Sequence, residues 1–147
     1  MNRPTCLLIA ASIAMLSPTA YAKTESRLSE YRPGVTVEWV YKEDIEYYFT
    51  NWYGRVEASD GPWRDIYFET AEKYVNKGIM RLNCADPEAD IDITLYDVGE
   101  YGNAADRRQV TVPYGDRKAW ADGNYQPLSG ETPPIEFYDA ARKRFCK

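Results

Sequence analysis

The stretch beginning at Ile91 constrains the fold class most, because Ile91, Ile93 and Leu95 alternate with Asp92, Thr94 and Tyr96. Residues two apart share one side of an extended strand, so this segment has one apolar and one polar side. A half-buried strand of that kind favours antiparallel over parallel pairing. Short runs rich in Val, Ile, Tyr, Trp and Phe recur at 35–41, 45–50, 53–58, 64–70, 78–84, 91–98 and 107–112, divided by Gly, Asp, Asn and Pro. β-Branched and aromatic residues suit a pleated surface and the dividers supply turns, so each run is expected to be a strand.

One helix is expected, at the carboxyl end. Thr132 can cap it and Pro133 suits its first position. At helical spacing Ile135, Phe137, Tyr138, Ala141, Phe145 and Cys146 share a broad arc interrupted only by Arg142. That arc should pack on the sheet, while Arg142, Lys143, Arg144 and Lys147 lie where the helix dipole favours positive charge. The expected fold is α+β: a small, mostly antiparallel sheet packed by a single C-terminal α-helix.

Residues 1–22 have the parts of an export signal: Arg3 near the amino terminus, an apolar run from Leu7 to Leu16, and small residues at Ala20 and Ala22. The apolar run is about half of the roughly 20 residues that a membrane span needs. Residues 23–34 are polar, contain Pro33 and Gly34, and read as a flexible leader to a domain at 35–147. Arg3 is the one charged side chain of 1–22, so processing takes the formal net charge from −5 to −6. An acidic exported domain disfavours nucleic acid and anionic membranes and allows a basic protein partner. The expected location is the periplasm or the cell surface.

Of the three cysteines, Cys6 would be lost with the signal. Cys84 and Cys146 remain, and an even number in an exported chain points to a disulfide, two free thiols being the alternative.

Three motifs carry a resemblance: a strand ending in Leu82, Asn83 and Cys84, a following strand ending in the run LYDVGEYG from Leu95 to Gly102, and a terminal helix ending in Phe145 and Cys146. In these the chain resembles the surface-adhesin protein E-like family of exported bacterial proteins over 78–146. The resemblance implies a small antiparallel sheet flanked by a helix, with Cys84 and Cys146 bonded so that a central strand is tied to that helix. The family's namesake is a surface protein that engages host ligands. No ligand-binding motif maps onto this chain.

The chain has no histidine, which excludes a Ser-His-Asp or Cys-His arrangement and a His-ligated metal. A carboxylate pair could still act as acid and base, but acidic side chains are also the ordinary covering of a soluble domain, so no enzyme is expected. Asp86, Glu88, Asp90 and Asp92 have the alternate spacing of a calcium loop, but Ile91 stands where its sharp turn needs glycine. A turn through Pro87 leading into a strand is the simpler account, and no metal or cofactor is expected.

Aromatic residues are dense between Tyr41 and Phe68. If Ile45, Tyr47 and Phe49 face the core, Tyr48 faces away from it, and a turn near 51–54 would leave Trp52 beside a loop. Tyr48, Trp52, Tyr53 and Trp63 are therefore the candidate binding surface, since large rigid rings suit recognition. The expected function is a non-enzymatic exported binding domain contacting a protein partner. The alternative is a periplasmic inhibitor or immunity protein against a basic hydrolase or toxin.

Overall fold

A computed structural model describes residues 23–25, 35–70, 76–96, 107–128 and 132–147. The export segment 1–22 and part 26–34 of the leader lie outside these residues. Among the described residues, seven strands form one antiparallel sheet: β1 (Lys23–Glu25), β2 (Thr36–Ile45), β3 (Tyr48–Asp60), β4 (Trp63–Thr70), β5 (Lys77–Asn83), β6 (Ile91–Tyr96) and β7 (Arg107–Val112). Spatial order equals chain order, so every strand pairs with its sequence neighbours. Residues 23–25 of the expected leader are part of this sheet, because β1 pairs with β2 from Lys23↔Glu38 to Glu25↔Thr36.

The aromatic region differs from its expected layout. In place of three short strands over 35–58 there is one long hairpin, with Ile45 opposite Tyr48 and a two-residue turn at Glu46 and Tyr47. The segment 45–50 straddles this turn, and the supposed turn at 51–54 lies inside β3. Asn51 and Gly54 only imitate loop residues. The Asn51 amide oxygen accepts a bond from Trp39 Nε1 at 3.1 Å. At Gly54, a Cβ would come within 3.1 Å of the Tyr67 carbonyl on β4. A polar pairing and a close strand approach explain both residues. The β3–β4 turn was legible: Gly61, at φ +53, supplies the positive φ that a type II′ turn needs at its first central position, and Pro62 follows.

One face of the sheet carries the main core. Trp52, Phe68 and Phe137 bring β3, β4 and the terminal helix together, with ring centroids 5.6 to 6.0 Å apart. Met80, Leu82, Ile91, Ile93 and Val112 extend this core across the later strands, all essentially inaccessible. The alternation read at 91–96 therefore holds: Ile91, Ile93 and Leu95 are buried and Asp92 is exposed. The opposite face has a smaller cluster of Val35, Val37 and Tyr67, flanked by Tyr53 and Ile79.

Among the described residues two α-helices cover the main core, where one was expected. α1 (Arg117–Ala121) follows a 3-10 turn at Tyr114–Asp116 and buries Trp120. Five residues are too few to show a helical period in sequence. α2 (Ile135–Phe145) buries Phe137, Tyr138 and Ala141, as its apolar arc required. Its N-cap is Pro134, with no side-chain cap bond, so neither Thr132 nor Pro133 takes its expected place. Pro133 precedes another proline, whose ring drives the preceding residue out of helical backbone.

Three ties fix α2 to the sheet. The Cys84–Cys146 disulfide joins the end of β5 to the end of the helix. Arg142, the interruption in the apolar arc, donates to the carbonyls of Asn83 and Cys84. Arg144 pairs with Glu38 on β2 at 2.7 Å. Two of the cations assigned to the helix dipole thus reach across to strands. Among the described residues, no helix is long and apolar enough to cross a membrane.

Candidate binding site at the β2–β3 tip

Pairing between β3 and β4 ends at Trp52↔Thr70, whereas β2 and β3 stay paired out to Ile45↔Tyr48. Among the described residues, 48–51 of β3 are therefore held by β2 alone. At about 3.4 Å per residue this two-stranded ribbon reaches roughly 13 Å past the β3–β4 ladder. Its end carries three consecutive aromatic residues: Tyr47, 88 % exposed, Tyr48, 61 %, and Phe49, 47 %. Tyr47 occupies the turn. Tyr48 and Phe49 fall on opposite sides of the ribbon, as successive strand residues must.

The base of this finger is tied into the core. Trp52 is 2 % exposed, and its indole N–H donates to Glu43 Oε2 at 2.9 Å. Tyr41, also on β2, has its pKa raised above the ordinary tyrosine value, first by burial and then by the carboxylates of Glu136, Glu43 and Asp44. On the Phe49 side, Lys42 places its ammonium 4.7 Å from the ring centroid and 2.6 Å from Asp44 Oδ1. From 43 to 50 the chain has three carboxylates, Glu43, Asp44 and Glu46, and no basic residue.

Of the four residues expected to form a binding surface, only Tyr48 lies at this tip. Trp52 is a core residue, because it stands within β3 beneath α2 rather than beside a loop. Tyr53 is half-buried against the smaller cluster on the opposite face. Trp63 is at the far end of the sheet, paired with Asp60 and stacked under Arg81 with 5.3 Å between guanidinium and ring centroid. The 13 residues of β3 separate it from the tip by about 40 Å. Tyr47 and Phe49 were missed because alternation had been carried straight through a turn that has no Gly, Asn or Pro to announce it.

The acidic segment 86–92 is occupied with local bonding. Asp86 accepts from the Glu88 N–H at 2.9 Å, Asp90 from the Tyr114 N–H at 3.2 Å, and Asp92 from the Thr111 hydroxyl at 2.6 Å. Arg117 clamps the same loop through the Pro87 and Ala89 carbonyls, with its guanidinium beside the rings of Tyr114 and Tyr138. Among the described residues, no three Cys, Asp or Glu side chains converge in a way that could hold a metal ion.

Comparison with family models, with curated proteins and with solved structures finds no match for the chain.

Proposed function

We propose that the protein is a non-enzymatic exported binding domain of the surface-adhesin protein E-like kind, which contacts a protein partner through the β2–β3 tip. The observation that carries this reading is the exposure of Tyr47, Tyr48 and Phe49 together on a ribbon that, among the described residues, outruns its neighbouring strand. Exposed aliphatic or aromatic side chains scattered singly need no explanation, but a cluster of rings at a projecting end does. Tyrosine is well suited to such a role, because it offers a large amphipathic area while fixing few torsions. Trp52 and Phe68 pack the main-core face of the sheet, and Tyr53 and Tyr67 the opposite one.

Affinity capture from a periplasmic extract tests this, using the wild type beside the variant Tyr47→Ser, Tyr48→Ser, Phe49→Ser. All three positions are exposed, so the variant should melt within a few degrees of the wild type. A partner recovered by the wild type and lost by the variant supports the proposal. Equal recovery by both would move the interaction elsewhere on the molecule.

A further inference from the structure

Taking the tip as the docking element, we infer that it recognises a basic protein segment by seating a cationic side chain, arginine foremost, between its aromatic rings and its carboxylates. The inference rests on the function proposed above and adds the chemistry of the partner. Three features of the finger lead to it.

The first is charge. Glu43, Asp44 and Glu46 lie on the same hairpin end as the rings, and the preceding residue, Lys42, is already bonded to Asp44. Such a surface repels nucleic acid and anionic lipid, and it also disfavours tip-to-tip pairing of two copies, which would bring like charges together. The second is that one side of the finger already holds a cation in this setting. Lys42 sits over Phe49 with Asp44 beside it, combining ring-face attraction with an ion pair. On the other side Tyr48 is 61 % exposed, Glu43 pairs with Thr50 two residues along β3, Glu46 is in the adjoining turn, and residues 43–50 supply no cation. The third is Tyr41, whose pKa is raised first by burial and then by the carboxylates of Glu136, Glu43 and Asp44. The last two of these belong to the finger, with Glu43 also bonded to the Trp52 indole at its root. Arginine fits best because its planar guanidinium stacks on a ring while bonding a carboxylate.

The probe is a synthetic oligo-arginine peptide titrated into the purified protein and followed by amide resonances, with an oligo-glutamate peptide and phosphatidylcholine vesicles as comparisons. The arginine peptide should shift the resonances of Glu46, Tyr47, Tyr48 and Phe49 first, and the other two probes should leave them unmoved. Glu46→Lys should weaken peptide binding about three- to tenfold, since it reverses a charge a few ångströms from the bound cation. Glu88→Lys, a reversal at another exposed position, in the β5–β6 loop, should weaken it less than about twofold.

Equal weakening by the two reversals, or shifts spread evenly over the acidic surface, would overturn the inference. So would tip shifts caused by vesicles alone, or by raising the protein concentration without peptide. Loss of partner capture in the triple serine variant, with capture unchanged by Glu46→Lys, would remove the cationic partner and leave the docking role intact. Capture that survives the triple variant would remove both.

Discussion

Trp52 has its ring in the core and its polar edge at the root of the finger. Truncating it to alanine removes contacts with Phe68 and Phe137 and leaves Glu43 without its indole donor. We expect Trp52→Ala to lower unfolding free energy by about 3 to 5 kcal/mol, measured by chemical denaturation. Where the variant remains folded it should still capture any partner of the wild type. A variant of unchanged stability that has lost capture would return Trp52 to the binding surface. Tyr41 gives a second prediction at this scale. Its folded pKa is raised, so the folded state favours the neutral phenol. The associated stability is complete below the ordinary tyrosine value and is lost as pH rises through the raised one. Tyr41→Phe should therefore flatten the fall in denaturation midpoint above about pH 10, the ordinary tyrosine value. An unaltered fall would mean that the tyrosine is not the group responsible.

At the scale of elements, α2 is held by a covalent bond, by Arg142 on two strand-end carbonyls, and by Arg144 on Glu38. Replacing both Cys84 and Cys146 by serine should cost about 2 to 5 kcal/mol. The helix should nevertheless stay docked, because Phe137, Tyr138 and Ala141 remain buried against the sheet. Persistent contacts between Phe137 and Phe68 in an NMR spectrum of the double variant would verify this, and their disappearance would show that the disulfide alone holds the helix. The elements differ in how plainly the sequence announces them. β6 and α2 were legible because each has a clean period, two in one case and 3.6 in the other. The β2–β3 hairpin was not. Its turn is made by Glu46 and Tyr47, while the residues that look like breaks, Asn51 and Gly54, are explained by a partner on β2 and a close neighbour on β4. Whether Trp52 is core or surface depends on which strand lies beside it, and that depends on this hidden turn. The same hidden turn shaped the candidate surface: Tyr48 is grouped in the sequence reading with Trp52, Tyr53 and Trp63, whereas its exposed neighbours in the fold are Tyr47 and Phe49.

Over the whole molecule, stability should grade from the middle of the sheet toward the finger. Met80, Leu82 and Ile93 lie in the main core on β5 and β6, each strand flanked on both sides, whereas 48–51 are paired on one side only among the described residues. Native-state hydrogen exchange should therefore be slowest at Met80, Leu82 and Ile93 and markedly faster at Tyr48 and Phe49. Uniform protection along β3 would show that the tip is braced by something besides β2. The strictly sequential strand order also bears on synthesis. A chain emerging amino end first can zip each new strand onto the previous one without waiting for a distant partner, so the sheet grows like a ratchet. Its apolar face must nevertheless stay open until α2 arrives, because the covering helix follows every strand it covers. During that interval Cys84 has emerged and its mate has not, leaving one reactive thiol beside a bare hydrophobic surface, the combination that invites a chaperone or an incorrect disulfide with another chain.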